Sequence, residues 1–547
     1  MPVVTLYFDR IKKILGKNVQ KKLIIDTLPF LGLDIEEETA DHINVEYSPN
    51  RPDYSTDYGI ITGIQGLLGI KLGMPILKIK TGKNLIKADS SVSKVRPYIT
   101  AIEARNGILD DETIRQIITM QEDLHNGLGR RRKKASIGIH DLEKIKFPLF
   151  YKTITQKHSF VPLESETSMT IKEILEKTET GKKFKHILEG QVKVPIIVDT
   201  DGKTISLPPI ANAKLTEMNT KTHNLLVEVT ATDKNAAEGV LAVIATTLQM
   251  AGFQLYSVKI TGANNSTPSL KSRDLILEPE LVNKTLGIKI SNTLILKSLK
   301  KSRLDAKLRG KKVVCTIPRY RTDIFGAMDL TEEVALGYGI QNLKPTIPES
   351  VSVGERNSIT KTLETIRSLM IGLGYLEVMN FELTSKEILY DKIHRDSSKI
   401  ISVADSKSQE HIILRDILLP GMMDVLSRNI HESYPQKIFE IGTVFEKDSP
   451  IKEGIHLACL SAHKDVNFSE VKSVLQSLLK TGFNLNCDTI AQKEPMFVDG
   501  RTGGILINGK KLGILGEVEP KVADNFRLRT SVAGFEINLT GLVLAED

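Results

Sequence analysis

The chain has 547 residues, 41% of them hydrophobic, which is enough for several packed domains. No stretch approaches the roughly 18 uncharged apolar residues of a membrane span, and charges interrupt the opening MPVVTLYFDRIKKILG, so neither a span nor a signal peptide is predicted. The 74 basic and 67 acidic residues leave +7, which permits a polyanionic partner without requiring one; Cys315, Cys459 and Cys487 form no CxxC pair, which speaks against a disulfide framework or thiolate zinc site and fits a reducing, cytoplasmic setting.

Val4, Leu6 and Phe8 alternate as on a strand, and helical patterns follow over Asp9 to Leu15 and up to the turn Phe30-Leu31-Gly32-Leu33. INVEY, from Ile43 to Tyr47, reads as a strand leading into SPNRPD. There Pro49 and Pro52 fix an extended turn, Asp53, Ser55 and Thr56 supply helix-start chemistry, and Ile60, Ile61, Ile64, Leu67 and Leu68 recur at helical spacing. By spacing alone NRPD is a loop-to-helix entry. A Lys- and Ser-rich patch marks a boundary near Gly82 to Ser93.

The segment to about Ala263 mixes strands and helices. IRQIITMQEDLHNGLG reads as a helix, followed by the basic run Arg130 to Lys134 and an apolar strand from Ala135 that exits at His140-Asp141. The run reads either as a solvated turn or as an RNA contact. His140 and Asp141 are adjacent on a strand exit and are expected to point apart rather than act as an acid–base pair. Asp201-Gly202 signals a hairpin, and Pro208-Pro209 precedes Asn212. In LLVEVTATD, Leu225, Val227 and Val229 share one face while Glu228, Thr230 and Thr232 form a polar row on the other, either an exposed face or a pocket wall.

After a polar linker from Asn264 to Asp274, Glu278-Pro279 and Ser291 start two helices, and Lys297, Lys300, Lys301, Arg303, Lys307, Arg309, Lys311 and Lys312 make the second helix and its exit cationic. VVCTI is read as a strand opening onto PRYRTDIFGAMDLTEEVALGYG. Asp329, Glu332 and Glu333 are expected in the first turn of that helix, with Asp323 reaching in from the approach loop. Oxygen-only ligands suit Mg²⁺. Asp329-x-x-Glu332 also fits a capping box, and acidic groups there complement the helix dipole without any metal.

From Ser350 onward, Leu363, Ile366, Leu369 and Met370 share a helix face that ends at Gly372 and Gly374, a second helix enters at Pro420-Gly421, and Asp499-Gly500 and Asn508-Gly509 read as hairpin turns. The elements together predict an α+β multidomain chain.

The run from Arg319 to Ile340 closely resembles the beta subunit of phenylalanyl-tRNA synthetase in its archaeal and eukaryotic-cytosolic form. SPNRPD, then GIHDLEKI, SLPPIANA and LVEVTATD, then Arg415, Asn429, Glu440 and Gly442 resemble the same family in the same order. The resemblance implies four domains: an N-terminal α+β domain at 1–85, a β-rich tRNA-editing domain at 86–263, a small helical winged-helix-like domain with a magnesium helix at 264–348, and a class II synthetase-like antiparallel sheet with helices at 349–547. It implies Asp323, Asp329, Glu332 and Glu333 as Mg²⁺ ligands, and hydrolysis of tyrosine misattached to tRNA(Phe) in a pocket assigned to Asn212, Glu228, Thr230 and Thr232.

It further implies an alpha subunit as partner in an alpha-two beta-two tetramer, with ATP and phenylalanine handled on the alpha chain, because the last domain lacks the Arg-x-Glu strand and arginine-bearing Gly-rich helix start that clamp ATP. No inserted oligonucleotide-binding domain is expected in the first hundred residues. The alternatives are a stand-alone RNA-binding or trans-editing protein and a structural scaffold. A second hydrolytic site has a physical rationale: an apolar phenylalanine pocket rejects an isostere bearing one extra hydroxyl only weakly.

Overall fold

The computed structural model describes residues 2–262, 268–347, 353–404, 406, 408 and 410–543; the beginning of the expected linker at Asn264 and the expected boundary at 348/349 lie outside them. The chain falls into two compact units, Met1–Ile347 and Pro348–Asp547.

The first unit opens with the strand Val3–Tyr7, paired antiparallel with His42–Tyr47, which also pairs with Leu33–Glu38. Val4 and Leu6 point inward as their alternation requires, whereas Phe8 already begins the helix Phe8–Leu15 and packs into the same core with Ile11, Ile43 and Val45. Pro52–Tyr54 forms a tight 3-10 turn, and the Thr56 side chain accepts from the Gly59 amide to start the helix Asp57–Leu67. A Cβ at Gly59 would lie 1.5 Å from the Asp53 carbonyl oxygen, so this turn tolerates only glycine there.

A five-stranded sheet follows in the spatial order Ile79–Lys80, Gln254–Ser257, Tyr98–Arg105, Leu225–Ala231, Ala135–Asp141. Leu225–Ala231 pairs on both sides, and Val227 and Val229 face a core closed by the helices Asp111–Asn126 and Lys234–Met250. This overturns the exposed-face reading of the polar row, because Glu228 and Thr230 are buried on the opposite face. A six-stranded sheet runs Ala211–Asn212, Thr204–Leu207, Lys193–Val198, Leu149–Thr155, Leu85–Ala88, Lys259–Gly262. The turn predicted at Asp201-Gly202 joins two of its antiparallel strands, with Gly202 at φ 78°.

The remainder of this unit is a three-stranded sheet centred on Lys312–Ile317, with the helices Pro279–Leu286, Asn292–Lys301 and Ala327–Tyr338. Ser291 caps the second helix as predicted, but that helix ends at Lys301, and Lys307 and Arg309 belong to the strand Asp305–Arg309. The acidic helix starts at Ala327, so only Asp329 lies in its first turn, and Glu332 and Glu333 fall in the second.

The second unit is built on a seven-stranded sheet whose long members Gln436–Glu446, Lys452–Ala462, Val532–Asn538, Lys510–Val518 and Phe497–Ile507 pair antiparallel in that spatial order. Ser358–Gly372 and Phe468–Phe483 pack into one core, with Ile366 and Met370 buried, and Leu419–Arg428 packs into another. Asn508-Gly509 makes the predicted hairpin turn between Ile507 and Lys510. Asp499-Gly500 does not: it falls inside the strand Phe497–Ile507, where the register shifts between Phe497 and Thr502 and Gly500 takes φ 79°.

Candidate functional site

A cavity of about 290 Å³ opens in the first unit beside the central strand. Its apolar wall includes Ile118 from the helix Asp111–Asn126, Ile137 and Ile139 from the strand Ala135–Asp141, and Leu207 and Ile210 from the segment carrying SLPPIAN. Asn212 and Glu228 both line it. The Ser206 hydroxyl donates to Asn212 Oδ1 at 3.2 Å, which leaves the Asn212 amide nitrogen as a donor for another group. Glu228 is buried, and its Oε2 has no hydrogen-bond partner.

The other two residues of the predicted pocket are placed elsewhere. The Thr230 hydroxyl accepts from Arg96 Nε at 3.0 Å and lies 3.0 Å from the Ser136 hydroxyl, behind the cavity. Thr232 lies just past the strand's end, exposed, and donates to the Lys133 carbonyl at 3.1 Å. Strand alternation puts the row on one face, but the cavity reaches only Glu228.

His140 and Asp141 diverge as expected. Asp141 Oδ1 accepts from the Glu143 amide and Oδ2 from Thr222, while His140 Nδ1 is 2.9 Å from Thr216 Oγ1 and its Nε2 is 3.9 Å from Glu228 Oε1. The unbranched backbone of Gly138 leaves the space in which these two meet, because a Cβ there would come within 2.4 Å of each.

Several lining residues escaped sequence reasoning. Glu122 Oε1 accepts from Arg132 Nη2 at 2.8 Å and from His125 Nδ1 at 3.0 Å, and His125 Nε2 accepts from the Ile137 amide at 2.9 Å. Burial pushes the Glu122 carboxyl up, but the His125 hydrogen bond and the Arg132 charge outweigh it and hold it down to about 2. Burial lowers the His125 imidazole below its usual value and keeps it neutral, so it can accept the Ile137 hydrogen bond. Nothing periodic marks these residues; the available sign was an unusual basic run immediately before a buried strand.

The acidic helix and the SPNRPD turn, far apart in sequence, meet. Arg51 chelates Asp53 through Nε and Nη2 at 3.0 and 2.8 Å, and Arg51, Asp53, Tyr54, Tyr320, Arg321 and Glu333 surround one void of about 20 Å³. Arg321 donates to Asp323 from Nε at 2.9 Å and from Nη2 at 2.7 Å, and also to Glu333. Burial raises the Asp323 carboxyl, yet Arg321 holds it below the ordinary carboxylate range. Asp329 Oδ2 accepts the amides of Phe325 and Gly326 at 2.7 and 2.8 Å, so it caps the helix in which it sits.

Among the described residues Glu332 has no such partner. Burial and then the charges of Glu333, Asp329 and Asp323 raise its carboxyl above the usual value. Among the described residues no three His, Cys, Asp or Glu side chains converge as a metal group. Of the four expected ligands, Asp323 and Glu333 are engaged by Arg321, and Asp329 by two backbone amides.

In the second unit, Arg415 is consumed in a buried pair with Glu440 at 2.5 Å and donates to the Thr443 carbonyl at 2.9 Å. A side chain on Gly442 would strike its guanidinium at 2.3 Å.

Comparison with known proteins adds the following. Residues 275–340 match the tRNA synthetase B5 domain, and residues 343–539 match the phenylalanyl tRNA synthetase beta chain CLM domain. Over 99% of this chain and 98% of the relative, the sequence is 37% identical to a phenylalanine–tRNA ligase beta subunit of Archaeoglobus fulgidus. Over 98% of this chain and 100% of the relative, it is 36% identical to one of Methanocaldococcus jannaschii. An N-terminal fragment of the phenylalanyl-tRNA synthetase beta subunit from Pyrococcus horikoshii superposes with a TM-score of 0.59 at 27% identity, covering 62% of this chain and 99% of the fragment.

Proposed function

The chain belongs to the phenylalanine–tRNA ligase beta-subunit family, and from that premise we propose that it edits: it hydrolyses tyrosine from tRNA(Phe) in the cavity between Asn212 and Glu228 while a separate alpha subunit forms phenylalanyl-tRNA. The family is that of an aminoacyl-tRNA synthetase of protein biosynthesis, an ATP-dependent ligase that joins phenylalanine to its tRNA.

The observation that carries the editing reading is the buried Glu228 carboxylate on the cavity wall beside Ile137 and Ile139, one oxygen of which has no hydrogen-bond partner among the described residues. A tyrosyl phenol donates to such a group; a phenylalanyl ring leaves it unpaired and forfeits that free energy. Asn212, with its Oδ1 engaged by Ser206, offers its amide to the ester carbonyl oxygen, where negative charge develops as water adds. The C–O bond to the terminal ribose then breaks, one proton of the attacking water passes to the ribose oxygen, the other is released to solvent, and tyrosine leaves as its carboxylate.

The remaining assignments follow the same reading. Asp323, Asp329, Glu332 and Glu333 would hold Mg²⁺, whose charge would neutralise the crowding on Glu332. The segments 1–85, 86–263, 264–348 and 349–547 act as N-terminal, editing, winged-helix-like and class II-like domains, and the last is non-catalytic, since its sequence lacks the Arg-x-Glu strand and the arginine-bearing Gly-rich helix start. The working form is an alpha-two beta-two tetramer in the cytoplasm. Among the described residues no helix is long and apolar enough to cross a membrane.

The test is phenylalanylation of tRNA(Phe) by this chain with and without a co-expressed alpha partner, alongside deacylation of tyrosyl-tRNA(Phe). Charging only by the pair, with clearance of the tyrosyl product, supports the reading. Charging by this chain alone would refute the non-catalytic assignment, and a pair that never clears tyrosyl-tRNA(Phe) would refute editing.

A further inference from the structure

Arg130, Arg131 and Arg132 take φ values of 50, 52 and 65°. Consecutive left-handed residues with side chains are costly and persist only where the surroundings over-determine them. Here the Arg132 and Lys133 carbonyls turn onto the fully buried guanidinium of Arg96 at 3.2 and 3.3 Å, and the Arg132 and Lys134 amides return to the His125 and Gly129 carbonyls at 3.1 and 2.8 Å.

The consequence is that one side chain of the five-residue basic run is reversed. Arg130, Arg131, Lys133 and Lys134 are exposed, whereas Arg132 is buried and lines the cavity. From there its Nη1 donates to the Ile210 carbonyl at 2.9 Å, its Nη2 donates to Glu122 at 2.8 Å, and its guanidinium lies 4.3 Å from the centroid of the Phe184 ring. Ile210 is two residues before Asn212, so the rigid fork of Arg132 ties the helix Asp111–Asn126 to the segment that presents Asn212.

We infer that Arg132 is a positioning residue of the hydrolytic site, fixing the segment Pro209 to Asn212 so that the Asn212 amide meets the ester carbonyl of tyrosyl-tRNA. The inference rests on the editing reading above. A solvated basic turn would leave this side chain outside, and an RNA-binding turn has no need to bury it. The fork has no equivalent in lysine, which offers one compact charge and cannot bridge a carbonyl and a carboxylate in one plane.

The experiment measures single-turnover deacylation of tyrosyl-tRNA(Phe) by the complex with its alpha partner, with phenylalanylation recorded on the same preparations to verify folding and assembly. Arg132→Gln is expected to lower the deacylation rate at saturating tyrosyl-tRNA by a factor on the order of 10² with KM little changed. Arg132→Gln combined with Asn212→Ala is expected to be no slower than Asn212→Ala alone, because the arginine acts through the asparagine. Arg132→Lys, the milder change should glutamine prevent folding, is expected to recover only part of the rate. A wild-type rate in either single variant, or losses that multiply in the double variant, would overturn the inference while leaving editing intact. Failure of the unmodified complex to deacylate tyrosyl-tRNA(Phe) would overturn both.

Discussion

His140 Nε2 stands 3.9 Å from Glu228 Oε1, with both side chains buried and the missing side chain of Gly138 making room for them. A methyl group at 138 would come within 2.4 Å of both atoms. Gly138→Ala is therefore expected to abolish tyrosyl-tRNA deacylation and cost about 1–3 kcal/mol of stability by overpacking, while phenylalanylation at the alpha subunit persists. Parallel assays of the two activities with a thermal melt check this, and unchanged deacylation would contradict it.

His125 sets a pH dependence. Its folded pKa is below the unfolded value near 6.5, so the fold binds fewer protons there than the unfolded chain does. The stability it contributes is complete above that value and is lost as pH falls through the interval down to the folded pKa. Protonation would also remove the acceptor that holds the Ile137 amide at 2.9 Å. Melting temperature and deacylation rate are expected to decline together on acidification below about 6.5, and His125→Gln to flatten both profiles over that interval. Profiles identical in the two proteins would exclude the role.

Arg321 joins motifs that are more than 250 residues apart by sequence position, since its neighbours in the buried void include Arg51 and Asp53. Arg321→Met would strand the carboxylates of Asp323 and Glu333 without their counter-charge. A buried pair broken from one side typically costs about 3–5 kcal/mol, so the variant should show a markedly lower unfolding midpoint in urea. A midpoint near that of the unmodified chain would show that the ionic contact is dispensable.

Glu332 works in the opposite direction to a paired carboxylate. Its raised pKa means that the folded chain binds more protons than the unfolded one, so its contribution becomes unfavourable as pH rises from the ordinary 4.5 through the folded value. At neutral pH, Glu332→Gln is expected to melt higher than the unmodified chain in the absence of divalent ions. Magnesium at about 100 times its dissociation constant should add roughly 2.7 kcal/mol to the unmodified chain and much less to the variant. A magnesium response equal in both would remove Glu332 from the ligand set.

What was legible in the sequence was local chemistry. The inward alternation of Val4 and Leu6, the Ser291 cap and the Asn508-Gly509 turn each depend on neighbours within a few residues, and each forms as read. Asp499-Gly500 carries the same turn chemistry, but its flanking residues pair with Lys510–Val518 as one strand, so the φ-positive glycine becomes a bulge. Of the four predicted residues, Asn212 and Glu228 reach the cavity and Thr230 and Thr232 do not, because the second neighbour of the central strand and the position of Arg96 are set by contacts between residues far apart in sequence, Arg96 and Thr230 being 134 residues apart. Arg132 was the least legible residue: its direction depends on three left-handed backbone positions that no hydrophobic period encodes.

The central claim is that the cavity holding Asn212 and Glu228 removes tyrosine from tRNA(Phe). It is tested most directly by the rate at which the complex with its alpha subunit deacylates tyrosyl-tRNA(Phe), compared between the unmodified chain and Glu228→Ala. The account predicts a loss on the order of 10² or more in the variant with phenylalanylation unchanged. Equal deacylation rates in the two proteins would contradict it.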